Sequence, residues 1–292
     1  VGSKAHRACF PIALVSLLVT LVGALVAARH VFTEGPMNYF MGGWEEPIGI
    51  GIQLRIDALN SLLLIAIAIV AVLVSFFSIR RVGEMNTEKT HYFYILFLLL
   101  CVGLFGITIA GDAFNLFVLI EVSSLTSYGL IAMGSNRRGA YAAFYYVLMG
   151  TVGASFYLLG VGYLYLTTGS LNMQDIHSIL GANPEIASSK AVEISFIFIL
   201  VGIWIKMAFF PLYGWLPNAY SYCPSSTACF LAPLMTKISV YVMIRVMTSV
   251  FGLHWVFASL EWSNIVVWLA VIAILSGSVL ALAQREIKKM LC

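Results

Sequence analysis

The sequence predicts an all-α polytopic membrane protein with about eight transmembrane helices, one of them discontinuous near Pro211. Three observations carry this prediction. Apolar residues make up 61% of the 292 and charged residues only 10%, with a mean hydropathy of +0.96, whereas average soluble domains are about 25% charged. Several runs reach the roughly 20 apolar residues that cross a bilayer. One of them, GIWIKMAFFPLYGWLPNAY from Gly202 to Tyr220, holds a lysine beside two prolines. A lysine at membrane depth costs on the order of 3 kcal/mol or more and persists only with a partner, a wet cavity or a function. Pro211 and Pro217 each remove a backbone donor, which hydrocarbon tolerates only where the freed carbonyls meet protein or water.

The spans follow in order. The first covers about Phe10 to Ala28 and leads into a polar, Gly-rich loop ending in GGWEEPIGIGIQLRID. The second runs from about Leu54 to Phe77 and stops at Arg80-Arg81; the third runs from Tyr92 to Ala110. Gly111-Asp112 turns the chain into a fourth, Ala113 to Met133, with Asp112 as its N-cap. A basic turn from Asn136 to Gly139 precedes a long fifth span, Ala140 to about Thr167. Its Gly150, Gly153, Ala154, Gly160 and Gly162 allow close approach of neighbouring helices. Thr168 to Lys190 reads as an extramembrane loop with one short interfacial helix. The sixth span begins near Val192 and breaks at Pro211, and Tyr213 to Ser226 is too polar and Pro-rich for a clean span. Thr227 to Val250 and Ile265 to Ala283 supply the seventh and eighth.

Basic residues orient these spans. With a cytoplasmic N-terminus, Lys4, Arg7, Arg80, Arg81, Lys89, Arg137, Arg138, Arg285, Lys288 and Lys289 fall inside, and only Arg29, Arg55 and Lys190 fall outside. Arg245 lies near the outer end of the seventh span and reads as snorkelling. Arg55 and Asp57 read as interfacial. The net charge of +3 suggests no nucleic-acid surface, and five cysteines without a CxxC, with scattered histidines, suggest no metal, haem or other cofactor.

Three ionisable groups remain inside spans. At a rise of ~1.5 Å per residue, Glu121 lies roughly 12 Å into the fourth span, Lys206 roughly 21 Å into the sixth and Lys237 roughly 15 Å into the seventh. A carboxylate near a buried lysine raises the lysine's proton affinity while desolvation lowers it, so Glu121 near Lys206 acts as a bias on its protonation. Ser124 and Tyr128 share the Glu121 face, and Thr236 and Ser239 flank Lys237; such hydroxyls hold waters between charges. The competing reading is a static salt bridge that fixes helix packing. Pro233 serves equally as a kink or as part of a gate.

The quoted residues also resemble a known family, the antiporter-like membrane subunits shared by Mrp-type cation/proton antiporters, respiratory complex I and membrane-bound hydrogenases. FNLFVLIEVSSLTSYGLIAMG is similar to the family's glutamate helix, KMAFFPLYGWLPNAYSYCPSSTACFLAPLMTKISVYVMIR to its lysine, broken helix and second lysine, and LALAQREIKKML to its connecting segment. GGWEEPIGIGIQLRIDALNSLLL is most similar to the Mrp D-type subunit and its hydrogenase counterparts. The resemblance implies that Glu121 and Lys206 form the coupling pair and that Lys237 is the central lysine of a horizontal proton path. It also implies Tyr213 on the path, where the family often has His, and Asn218 where an acid is common. The family has about fourteen helices with an inverted repeat. By this likeness, residues 1–292 form one transmembrane domain that is a fragment of that fold, with 91–225 approximating the first five-helix repeat.

The function so implied is proton translocation by one subunit of a multisubunit cation/proton antiporter in a prokaryotic inner membrane. Its expected partners are other membrane subunits, H+, the bilayer lipid and, in a sodium-coupled complex, Na+. No bond chemistry is expected of this chain. Three other readings stand beside it: an antiporter-like subunit of a redox-driven complex, a structural membrane anchor and a stand-alone solute carrier.

Overall fold

A computed structural model describes the backbone of residues 6–44, 51–83, 87–134, 137–258 and 263–292. The side chains of Lys4, Arg7, Arg80, Arg81 and Lys89, used in the charge count, lie outside the described residues. The helices are α1 (His6–Glu34), α2 (Ala58–Gly83), α3 (Thr87–Ile109), α4 (Ala113–Ala132), α5 (Arg137–Thr168), α6 (Met173–Ala182), α7 (Pro184–Ala187), α8 (Lys190–Met207), α9 (Leu216–Tyr222), α10 (Ser225–Arg245), α11 (Leu253–Ala258), α12 (Ser263–Leu282) and α13 (Ile287–Met290). Among the described residues, six helical stretches are long and apolar enough to cross a membrane: α1 to α5, and α10 with the π-helical turn Val246–Phe251 that extends it. The other two spans that the sequence predicts fall on further apolar helices, the interrupted pair α8 and α9 and the helix α12 with its apolar run Val266–Leu282.

Two parts of the sequence reading change. The Gly-rich loop after α1 contains an antiparallel β-hairpin, β1 (Met37–Phe40) with β2 (Gln53–Ile56). The loop after α5 holds two helices, α6 and α7, instead of one. These connections gather on one side of the helices, here called the hairpin face. Leu54 bridges to Ala110 at the end of α3, and Asp112 bridges to Asn172 before α6. The Ala113 amide donates to the Leu171 carbonyl and the Met173 amide to the Gly111 carbonyl. Unsatisfied backbone groups at helix ends need partners, and this face supplies them from neighbouring turns.

The core between helices is tight because small residues let backbones meet. A Cβ on Gly202 would sit 2.6 Å from the Gly153 carbonyl oxygen, and one on Gly160 would sit 2.7 Å from that of Ser195. The Ser195 hydroxyl donates to the Gly160 carbonyl at 2.8 Å across the same seam. A Cβ on Gly103 would sit 2.9 Å from Ser123, so α3 is held equally close to α4. These contacts fix α4, α5 and α8 around one volume, where the intramembrane charges lie.

Candidate functional site

Helix α4 begins at Asp112, whose side chain caps it by accepting the Asn115 amide at 2.6 Å, as the sequence predicts. Two turns further on, its hydroxyls sort by role. Ser123, Thr126 and Ser127 donate back to carbonyls three or four residues earlier, which satisfies a hydroxyl in an apolar setting. Ser124 is also engaged across the interface, where its Oγ accepts from Lys206 Nζ at 2.7 Å. The same ammonium donates to Glu121 Oε1 at 3.2 Å, with the Lys206 side chain 9% and the Glu121 side chain 27% exposed. The two charges expected to lie together therefore form an ion pair, and a serine completes the lysine's shell.

Space for that lysine comes from α5. A Cβ on Gly150 would sit 1.8 Å from the Tyr128 hydroxyl and 3.6 Å from Lys206 Nζ. Glycine at 150 therefore leaves the lysine and the phenol in one compartment. Among the described residues the buried Tyr128 hydroxyl has no hydrogen-bond partner; its ring meets Tyr146 edge-on at 4.6 Å, and Tyr146 stacks on Trp215 at 4.1 Å.

The break itself starts before the prolines. Helix α8 ends at Met207 with Ala208 in the left-handed region (φ 57°, ψ 44°). The Phe209 amide then donates to the Trp204 carbonyl and the Ala208 amide to the Ile205 carbonyl, a Schellman closure without its usual glycine. Trp215, fully buried, donates its indole N–H to the Ile205 carbonyl at 2.9 Å. Its indole thus supplies a side-chain donor to a carbonyl of the last turn of α8, at the break. Pro211 lies within the irregular stretch, and Pro217 opens α9 in the first turn, where its missing N–H costs little.

A small cavity adjoins the pair, lined by residues that include Ser123, Ser124, Tyr157, Lys206, Ser239 and Val242. It has room for a water or two and none for a solute molecule. Of the residues predicted near Lys237, Ser239 reaches this cavity. Lys237 points outward and donates to the Ala232 carbonyl at 2.9 Å. Thr236 and Tyr213 line a second pocket with Phe210, Ala273 and Gly277, beneath the break.

At the hairpin face a second charged cluster lay hidden in the sequence. Arg245 does not simply snorkel: its guanidinium pairs with Asp57, and its Nε donates to Tyr241 Oη at 2.8 Å. Tyr241 donates onward to the Thr108 carbonyl at 2.8 Å, which also receives Asn60 Nδ2 at 3.0 Å. Burial pushes the Asp57 carboxyl up, but the Arg245 hydrogen bond, the Asn60 amide and the charges of Arg245 and Arg55 outweigh it and hold it below the usual carboxylate range.

Residues 110–292 match the family model "NADH:quinone oxidoreductase/Mrp antiporter, TM". The chain belongs to this family. Among its antiporter-like relatives, the chain is 41% identical over 279 residues to NADH-quinone oxidoreductase subunit N of Desulforudis audaxviator, covering 94% of this chain and 54% of that protein. It is 31% identical to the D-type Na(+)/H(+) antiporter subunit of Bacillus subtilis, covering 93% and 52%. The chain thus spans about half the length of these curated relatives. Its fold matches a subunit of the membrane-bound sulfane sulfur reductase, an archaeal respiratory membrane complex, at a TM-score of 0.85 and 29% identity over 97% of this chain and 56% of that one. The Mrp complex from Dietzia sp. DQ12-45-1b shares the fold at a TM-score of 0.82 and 24% identity, over 98% and 51%. As an antiporter-like family member the chain is a multi-pass membrane protein.

Proposed function

We propose that this chain is the proton-translocating part of an antiporter-like subunit in a multisubunit cation/proton antiporter, with protons passing between Glu121, Lys206 and Lys237. The observation that carries this reading is the Lys206 ammonium, held between Glu121 and Ser124 beside a cavity of water size. A lysine that shares its shell with one movable carboxylate changes proton affinity as that carboxylate approaches or withdraws, and the two groups titrate as a pair. Ser239 on the cavity wall and Lys237 on the outer surface stand two residues apart on opposite sides of α10, so transfer to the second lysine requires the Lys237 side chain to turn inward toward waters at Ser239. Residues 91–225 act as one repeat of the larger fold. The face opposite the hairpin, where Arg138 and Lys289 lie over the Tyr222 ring, is cytoplasmic by its basic residues.

A second reading has a specific observation in its favour: the 41% identity to an NADH-quinone oxidoreductase subunit and the match to a respiratory complex favour a redox-driven assembly. Both readings assign the same residues the same work and differ in what moves Glu121. Substituting Lys206→Ala in the full-length protein, reconstituted with its complex in vesicles, separates both from a structural anchor. Loss of coupled proton movement with assembly intact is the expected result; pumping at the parent rate refutes the reading.

A further inference from the structure

We infer that Asp112 is the group that exchanges protons between the hairpin face and the Lys206 cavity, with the Tyr157 hydroxyl between them. This rests on the proton-handling role proposed for Lys206 and adds the site of access to it. Asp112 precedes Glu121 by nine positions along α4, or about 14 Å at the helical rise. It is 3% exposed. One of its oxygens caps α4, and the other, Oδ2, is buried with no hydrogen-bond partner among the described residues. Capping needs one oxygen, and asparagine or serine caps as well as aspartate. The second oxygen is therefore unexplained by the cap, and an orphaned buried acceptor costs about 1–3 kcal/mol. A proton on Oδ2, or a water delivering one, removes that cost. Burial raises the Asp112 carboxyl to about 6, against the opposing pull of the Asn115, Gln53 and Phe114 amides, so the group gains and loses protons near neutral pH.

Polar groups lead away from it in both directions. Outward, Asn172 Nδ2 donates to Gln53 Oε1 at 2.8 Å, and Gln53 Nε2 donates to Gln174 Oε1 at 3.2 Å and to Asn38 Oδ1 at 3.4 Å. Asn38 lies exposed on β1 while Gln53 is fully buried, so these amides run from the surface to the Asp112 turn. Inward, the Tyr157 hydroxyl donates to the carbonyl of Ala113, the next residue, at 3.2 Å, and the same tyrosine lines the cavity that Lys206 and Ser124 line. The groups packed about Asp112 are Gln53 from β2, Gly111 from the end of α3, Tyr157 from α5, and Asn172 with Gln174 from the start of α6; Tyr157 is the titratable one among them. Arg55 on β2 is paired with Asp57, and Asp175 on α6 stands one residue beyond Gln174.

Four substitutions in the full-length protein within its complex test this, read as proton-coupled transport in vesicles across pH 5 to 8. Asp112→Asn and Asp112→Ser keep the cap and remove the titrating group, so both should slow transport about tenfold or more and abolish the step near pH 6. Asp112→Glu should retain transport with a displaced step, and Tyr157→Phe, which keeps the ring's packing, should slow it several-fold. The inference is overturned if Asp112→Asn or Asp112→Ser transports like the parent with the parent's pH profile, because Asp112 is then a helix cap alone. Should the Asp112 variants fail to assemble, Tyr157→Phe decides, and a parent rate in that variant overturns the route. Lys206→Ala run in parallel distinguishes the failures. An inactive Lys206→Ala beside an active Asp112→Asn sinks only the access route, whereas an active Lys206→Ala sinks the proton function on which it rests.

Discussion

Two of the carboxylate–cation pairs among the described residues, Asp57–Arg245 and Glu121–Lys206, tie distant helices together, and their surroundings differ as those of a fastener and a movable part would. Asp57 and Arg245 sit at the hairpin face, 17% and 16% exposed, and each has hydrogen-bond partners besides the other. Asp57 accepts from the Leu59 and Asn60 amides as well as from Arg245, and Arg245 also reaches Tyr241. Glu121 stands mid-helix on α4 and Lys206 in the last turn of α8, and among the described residues Glu121 accepts from Lys206 alone. A cavity and the unsatisfied Tyr128 hydroxyl adjoin them. A saturated pair has one good geometry, while an undersatisfied pair beside a void has several of similar energy. The first joins β2 and α2 to the end of α10, and under the proposed reading the second changes its partners.

The comparison breaks first at stability. Asp57→Ala leaves Arg245 half-buried and unpaired, and should cost about 3–5 kcal/mol, read as a large drop in the thermal midpoint of the purified complex. Glu121→Gln should cost about 1 kcal/mol or less, because the amide oxygen still accepts from Lys206, while transport falls far more than stability does. Equal stability losses in the two variants would erase the distinction.

The next test sharpens it at Gly150. Alanine there places a Cβ 1.8 Å from the Tyr128 hydroxyl, so Tyr128 must move into the lysine's compartment at a cost of about 1–3 kcal/mol. Transport should fall in step with the displacement of Tyr128, and Gly150→Ala with Tyr128→Phe should recover part of it. Smaller still is Trp215→Phe, which keeps the stack on Tyr146 and removes one of the two hydrogen bonds to the Ile205 carbonyl, leaving that of the Ala208 amide. Unfolding should show a loss of about 1 kcal/mol.

The smallest effect expected is one of pH. The Asp57 carboxyl is held below its ordinary value of 3.8, so the stability it contributes is present above that value and is lost only as pH falls through the lowered one. Hydrogen exchange at the Leu59 and Asn60 amides, which donate to Asp57, should therefore be equally protected at pH 7 and pH 5. Loss of protection by pH 5 would mean that the fastener is not saturated.

Much of this was legible in the sequence, for a physical reason. Charges are rare in apolar runs, so Glu121 and Lys206 were visible as a pair before any geometry was known, and the spans followed from length and hydropathy. What escaped notice depends on contacts between distant segments. Asp57 and Arg245 are 188 residues apart, and each alone looks interfacial. The hairpin strands are four residues each, too short for an alternating pattern, and their register is set by pairing with each other and with Ala110. Prolines drew attention to Pro211, but the helix ends at Ala208, where a left-handed residue carries no sequence mark. Lys237 was read from its depth along α10, and depth does not say which way a side chain points.

The central claim, that Glu121 and Lys206 form a proton-handling pair and not a fastener, is tested most directly by exchanging the charges. The double substitution Glu121→Lys with Lys206→Glu keeps opposite charges facing each other and moves each to the other helix. The account predicts that the exchanged protein assembles with near-parent thermal stability and fails to move protons, because the lysine no longer stands on α8 at the break. Parent-level transport by the exchanged protein would contradict it and leave a salt bridge that only holds α4 to α8.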